Sequence, residues 1–335
     1  MPLSKIKTNS ISNPIALTAP VINNIGYTNN FGFKNKIING NMSIAQRGTS
    51  FSHNGATSRW PVDRFFSLMY DTGYASPTGG TVSQVTISTD SVSDGGVQFT
   101  EAIRVTPHTS SKLCYLYQKI EDVRQFSNTT VTFSFYARVN SGTFTPSNGL
   151  RFEQSFGSGG STEVNTFVDW PKAITTSWQR FEVTVSLPSI SGKTIGTGNH
   201  LNVMFYSNEN ISTVGWLEIT GVQLEIGSVA TTFERRPVGI ELSLCQRYYT
   251  DCGTWFVQGY GYGTGSDGTG SALMFPTTMR ATPTMSKPSG QDDGGSAANM
   301  VFNNTSTRGT SPEAVSTNGS YGQWVQAAVT AEAEL

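Results

Sequence analysis

Charge is scarce in this chain. Its 335 residues carry 22 Lys plus Arg and 23 Asp plus Glu, a charged share about half the usual one, and these balance to a formal net charge of -1. There is no basic tract to neutralise a phosphate backbone and no acidic tail, so nucleic-acid binding is not expected. Cysteine is scarce too: Cys114, Cys245 and Cys252 cannot all pair and show no Cys-x-x-Cys spacing. Neither a disulfide framework nor a zinc site is indicated, and the three read as free, small hydrophobes. The three histidines, His53, His108 and His200, are scattered, with no Ser-His-Asp order, His-Glu-x-x-His or phosphate loop beside them. No stretch approaches ~18 apolar residues, and the opening MPLSKIKTNSISNPIALTAP has no continuous apolar run. Neither a membrane span nor a Sec leader is expected.

What is present is Gly, Ser, Thr, Asn and Gln between short apolar runs, a composition of tight turns and extended strands. The length suits one large or two medium β-domains. In TVTFSFYARV (130–139), Val131, Phe133, Phe135, Ala137 and Val139 alternate with Thr132, Ser134, Tyr136 and Arg138. RFEVTVSL (180–187) and HLNVMFYS (200–207) repeat the pattern, which predicts antiparallel strands with one face buried and one wet. In GWLEITGVQLEIGS the inward set runs Leu217, Ile219, then Val222, Leu224, Ile226. The parity flips beside Gly221, which predicts a β-bulge there. Weaker strands at 81–89, 96–106 and 112–120 bring the expected number before residue 236 to about eight to ten.

Residues 223–249, QLEIGSVATTFERRPVGIELSLCQRYY, change period halfway. A strand ends at Gly227, Phe233 is expected to plug the base of the core, and Pro237 holds Arg236 extended. Beyond it Ile240, Leu244 and Tyr248, widened by Cys245, form an apolar helical stripe, with Glu241, Ser243 and Gln246 pointing away. So short a helix must dock on the following domain or on another subunit. The predicted organisation is an extended N-terminal arm (1–36), a β-sandwich (37–236), and a linker helix with a smaller C-terminal β-domain (237–335).

NKIINGNMSIAQRGTSF, RWPVDRFF, VQLEIGSVATTFERRPVGIELSLCQRYY, FPTTMRATPTMS and a terminal AEAEL, in that order, resemble bacteriophage tail-fibre and related virion structural proteins. The resemblance runs over about residues 34 to 335 and departs at Phe65, where the family usually has Trp. It implies an all-β fold, an antiparallel jelly-roll sandwich similar to carbohydrate-binding modules. It also implies a virion location, a homotrimer and a host-surface polysaccharide as ligand; residues 1–36, which it does not cover, are expected as an extended arm that attaches to other virion proteins. No enzymatic activity, cofactor or membrane insertion is expected. The alternative function is a purely structural decoration, adaptor or capsid-surface fibre without glycan binding.

Individual residues sort accordingly. Asp63 and Arg64, a polar pair inside an apolar run, are expected to satisfy buried backbone or each other. Glu225 and Glu234 bracket the last sandwich strand, about 30 Å apart if the chain stays extended, too far for a glycosidase pair and so structural. Gly221, Pro237 and Cys245 are structural as well. Sugar rings stack on aromatic faces, and the aromatic candidates near loops and strand ends are Tyr70, Tyr74, Trp170, Trp255, Tyr260, Tyr262 and Trp324. Glycines beside Tyr260 and Tyr262 favour the Trp255, Tyr260, Tyr262 and Trp324 group as the glycan-binding site. The Asp-containing stretches YDTG and SGQDDGGS permit a structural Ca2+ but assign no metal residue.

Overall fold

Period-two alternation, interrupted by glycine and proline, lays down strands along most of the chain. The computed structural model describes residues 33–54, 58–71, 78–88, 92–107, 111–146, 148–207, 211–259, 271–287, 298–316 and 323–335. The expected arm lies almost wholly outside them. Asn35–Leu335 forms one compact unit, and Met1–Lys34 is a separate one; every element below lies in the former.

The described strands before the helix are β1 (Ser50–Asn54), β2 (Arg59–Val62), β3 (Phe65–Asp71), β4 (Thr78–Thr86), β5 (Ser93–Asp94), β6 (Val97–Gln98) and β7 (Glu101–Thr106). They continue with β8 (Ser111–Glu121), β9 (Thr130–Val139), β10 (Leu150–Ser155), β11 (Val164–Val168), β12 (Gln179–Ser186), β13 (His200–Ser207) and β14 (Leu217–Ile226). Twelve of them build two six-stranded antiparallel sheets, in the orders β1-β4-β7-β14-β9-β12 and β11-β10-β13-β8-β3-β2. The chain steps repeatedly from one sheet to the other, so the domain is a jelly-roll sandwich. This is more strands than the eight to ten expected, because β2, β5, β6 and β11 are too short to show a period.

The core between the sheets is aromatic. Phe135 stacks on Phe181 at 5.3 Å and 8°, meets Phe205 edge-on at 4.8 Å and Trp170 at 4.8 Å. Phe133 meets Phe152 at 5.8 Å and 90°. Each such ring contributes roughly 1.5–3 kcal/mol by leaving water. Phe65 is 1% exposed and fills the same core.

The strict one-face-wet pattern does not hold for the first sheet. In β14 every residue but the last is buried, and Ile226, expected inside, is 49% exposed. The reason is a second layer: Ile87, Val92, Phe99, Ala102 and Phe233 form a satellite cluster. Phe233 therefore packs against Phe99 at 5.1 Å in that cluster and not at the base of the main core. The β14 register with β9 shifts between Thr220 and Gln223, and Gly221 there has φ +60°.

The helix α1 (Val238–Gln246) follows, then β15 (Tyr249–Gly259), β16 (Leu273–Met274), β17 (Thr284–Ser286), β18 (Ala298–Asn303), β19 (Gly309–Ser316) and β20 (Gln323–Glu332). These pair as two three-stranded sheets, β15-β20-β17 and β16-β19-β18, around a core of Val257, Met279, Met300, Val325 and neighbouring alanines. No helix among the described residues is long and apolar enough to cross a membrane.

The helix presents a different stripe from the expected one. Glu241 and Cys245 are its buried residues, Tyr248 just beyond is buried, and Ile240 is 42% exposed. Glu241 points inward because it has partners there: it accepts from the Asn39 N–H and from Arg236 at 2.9 Å. Arg236 in turn donates to the Ile37 carbonyl at 3.0 Å. A paired buried carboxylate wins over an apolar residue that can remain in water. The segment beginning at Asn35 is pinned by the same network: Lys36 N–H donates to Leu224 O at 2.8 Å. A Cβ on Gly40 would stand 2.1 Å from Val222 O, so this close approach admits only glycine.

A polar seam joins the sandwich to the C-terminal part. Arg64, at φ +71°, lies over the Tyr248 ring at 3.4 Å, donates to Lys119 O at 2.6 Å and is ion-paired with Glu334. Arg47 reaches the same carboxylate at 3.1 Å and lies 3.8 Å over Tyr249. Asp63 accepts from the backbone N–H of Gln46 at 2.9 Å. Asp63 is thus paired with Gln46 within the sandwich, and Arg64 with the Lys119 carbonyl and, across the seam, Glu334, while its Nε is buried without a partner among the described residues.

Candidate functional site

On β8 the inward residues are Leu116 and Gln118, which sends Tyr115, Tyr117 and Lys119 to the opposite, outer face. On β13 the same parity sends His200, Asn202, Met204 and Tyr206 outward. The registers align these residues into rows. One row crosses five strands as Phe167, Arg151, Met204, Tyr117 and Phe66, about 19 Å from end to end at the usual strand spacing. The adjoining row is Asn165, Glu153, Asn202 and Lys119, and on the other side Tyr206 faces Tyr115.

The rings in these rows support one another. Phe66 and Tyr117 are 4.4 Å apart, Trp60 meets Phe66 edge-on at 5.3 Å, and Tyr115 lies 5.2 Å from Tyr206. Between them runs a polar chain: Arg151 Nε donates to Asn165 Oδ1 at 2.8 Å, its Nη2 pairs with Glu153, and Asn202 Nδ2 donates to Glu153 Oε1 at 2.7 Å. The central members of these rows, Arg151, Glu153, Asn202, Met204, Tyr117 and Lys119, line a groove of about 440 Å³; Phe66, Phe167 and Tyr206 lie on the same face beyond its lining.

Two groups at its floor remain acceptors. Asn202 Oδ1 is buried and has no hydrogen-bond partner among the described residues, a costly state that a ligand hydroxyl relieves. Burial holds the His200 ring down to about 4, despite its bond to the Gly198 carbonyl. It is therefore neutral at neutral pH, and Nδ1–H donates to that carbonyl at 2.7 Å, which leaves Nε2 as an acceptor. Aromatic faces flanking fixed donors and acceptors are the equipment of a carbohydrate site.

The residues singled out from sequence fall elsewhere. Trp255 and Trp324 do not form one platform. Trp255 packs partly against the C-terminal core and donates its ring N–H to Cys252 O at 3.0 Å. Trp324 sits on the other face of β20, 5.4 Å from Phe256, which is 53% exposed. The period-two geometry of β15 and β20 separates the two tryptophans by face. Tyr260 and Tyr262 lie outside the described residues, as do Tyr74, His108, the side chains of Tyr70 and Asp71, and Asp292 and Asp293 of SGQDDGGS, so the acidic groups on which Ca2+ rested are not described. Trp170 is core, 5% exposed. His53 is also buried, with Nε2 3.2 Å from Ser67 Oγ.

Glu225 and Glu234 are not held far apart by an extended chain, because the chain folds back between them. Thr231 N–H donates to Glu225 Oε1 at 2.8 Å and Glu234 N–H to Gln223 Oε1 at 2.8 Å. Both carboxylates are used structurally, Glu234 accepting from the Asn35 N–H at 2.9 Å. Cys245 and Cys252 are free thiols, and burial raises both, so neither is activated. The side chain of Cys114 lies outside the described residues.

The outer-face rings Phe66, Tyr115, Tyr117, Phe167 and Tyr206 were missed by sequence reasoning. The signal was available: once Leu201, Val203 and Phe205 are taken as inward, Tyr206 must face out, and the spacing of Tyr115 and Tyr117 puts them on one face.

No protein-family model and no curated protein matches the sequence. Among solved structures the chain is similar to the enzymatically active domain of tailspike protein 4 of bacteriophage CBA120, at 14% identity and TM-score 0.27. That match covers 44% of this chain and 19% of the tailspike, so the chain spans less than a fifth of that protein's length. It is also similar to a xylan-binding domain of Paenibacillus barcinonensis Xyn10C, at 12% identity, TM-score 0.33 and coverages of 58% and 96%. A third is the family 11 carbohydrate-binding module of Clostridium thermocellum in complex with a mixed-linked tetrasaccharide, at 13% identity, TM-score 0.31 and coverages of 54% and 98%. The fold assignment rests on the sheet orders and registers and not on these likenesses.

Proposed function

We propose that this chain is a non-enzymatic fibre protein of a bacteriophage particle that binds host-surface glycan on the outer face of its β11-β10-β13-β8-β3-β2 sheet. The observation that carries the glycan reading is the row Phe167, Arg151, Met204, Tyr117, Phe66, rings at both ends, beside the unpartnered Asn202 acceptor. Its length suits an oligosaccharide rather than a single sugar. The virion assignment is supported by the motif resemblance from NKIINGNMSIAQRG to AEAEL, with residues 1–36 as the attachment arm and a homotrimer as the working form. Three weak sites on one fibre would gain avidity on a polysaccharide surface.

The non-enzymatic part is supported by Glu153, the carboxylate in the groove, being committed to Arg151 and Asn202. The test incubates the full chain with host polysaccharides, reading binding on a glycan array and new reducing ends in solution. Binding without new reducing ends is expected. Release of reducing ends overturns the non-enzymatic reading, and absence of all binding favours a purely structural fibre.

A further inference from the structure

Asn202 is the fixed point of the groove. It is 4% exposed, and its orientation is set: Nδ2 donates to Glu153 Oε1 at 2.7 Å, and turning the amide over would press Oδ1 against a carboxylate. Glu153 is itself held by Arg151. Oδ1 therefore stays an acceptor, and it has no partner among the described residues. Lys119, directly across from Asn202 on β8, does not serve it, because Nζ turns to the backbone oxygen of Leu335 at 2.6 Å.

We propose that this acceptor reads the amide N–H of an N-acetylated sugar, with Arg151 donating to the acetamido carbonyl and Met204 and Tyr117 receiving its methyl. This names the ligand class of the glycan site above and rests on that reading. The protein groups lie together. Arg151 pairs with Met204 across β10 and β13, so it is the diagonal neighbour of Asn202, within reach of one small group. Its Nε is taken by Asn165 and its Nη2 by Glu153, and among the described residues nothing takes Nη1, which remains a donor. Met204 is two residues from Asn202 on the same face of β13 and stands opposite Tyr117. Thioether and ring form an apolar floor beside the acceptor, and all four side chains line the one groove.

Chemistry separates the ligand classes. A secondary amide brings one donor, one acceptor and, in the acetamido group, one methyl on a rigid plane. A pair of ring hydroxyls meets Asn202 and Arg151 but gives nothing to Met204. A carboxylate has no proton for Oδ1 at neutral pH and would lie beside Glu153. An unacetylated amino sugar brings a cation to Lys119 and Arg151, while Glu153, the one carboxylate lining the groove, is already paired. A buried acceptor left without a donor is the costly outcome, so discrimination falls on the acetamido group and not on net charge.

The experiment uses the full chain with two matched pairs, chitotetraose beside cellotetraose, and oligomers of N-acetylgalactosamine beside galactose oligomers of the same linkage. Affinity is read by calorimetry. At least one acetylated member is expected to bind about tenfold or more tighter than its hydroxyl partner. Asn202→Leu and the smaller Asn202→Ala both remove the acceptor and should bring the ratio close to unity; Arg151→Met should lower it. Unfolding curves of each variant separate lost recognition from misfolding. Equal binding within both pairs, or a ratio unmoved in whichever Asn202 variant folds, overturns the inference and leaves the glycan reading standing. Absence of binding by all four oligomers overturns the inference as well. If array glycans also fail, the glycan reading falls with it.

Discussion

Gly221 shows how much one residue decides. Its φ of +60° lets β14 carry the extra residue of the bulge, and a Cβ there would stand 2.7 Å from Phe99 Cζ. Gly221→Ala should therefore cost roughly 1–3 kcal/mol, read as a lower denaturant midpoint with an unchanged slope. The position was legible because few backbone features besides a bulge flip strand parity beside a glycine. Glu241 was not legible: its burial depends on Arg236 and on the Asn39 amide about two hundred residues away in sequence, and a local period cannot contain such a partner. His200 supplies a pH prediction. Its folded value of about 4 lies below the ordinary ~6.5 of the unfolded chain. Between these values the unfolded form binds a proton that the folded form does not, so stability falls as pH drops from about 6.5 toward 4. His200→Gln should flatten that limb of the stability profile.

Among the elements, the strands with long runs were readable and the short ones were not. β9, with three inward rings or branched residues in a row of alternation, could be recognised from Thr130 to Val139. β11, VNTFV, alternates between partly buried and exposed residues, but its exposed Phe167 is apolar, so the sequence shows no apolar/polar period there. The helix α1 was located correctly but its face was misassigned, since hydrophobicity ranks Ile240 above Glu241 and pairing reverses the order. The seam predicts its own fragility. Glu334 sits between Arg47 and Arg64, and its side chain is 10% exposed. Glu334→Gln leaves the buried Arg64 guanidinium without its counter-ion and Arg47 with only Glu332, at 3.7 Å, so about 3–5 kcal/mol should be lost. Limited proteolysis should then release the C-terminal strands at a lower denaturant concentration than in the parent protein.

For the molecule as a whole, the sandwich was foreseeable because alternating runs admit few other architectures. The aromatic rows of the outer face were not. Sequence reasoning looked for rings in loops, where glycine implies access, whereas the described aromatic rows lie on strands whose outer face is open. The half-buried Trp324 and the exposed Phe256 thereby become a control surface, aromatics without the polar chain that Arg151, Glu153 and Asn202 form. A homotrimer would be seen by light scattering at low protein concentration as about three times the monomer mass, and a stable monomer would remove the avidity argument.

Whether the outer face of the β11-β10-β13-β8-β3-β2 sheet holds the glycan can be decided with two variants. The affinities of Tyr117→Ala and Trp324→Ala are measured for whichever array glycan the full chain binds, after unfolding curves confirm that both fold. A loss of about tenfold or more is expected for Tyr117→Ala and none for Trp324→Ala. Unchanged binding by Tyr117→Ala together with loss in Trp324→Ala would refute the sheet-face site and move it to the C-terminal sheet.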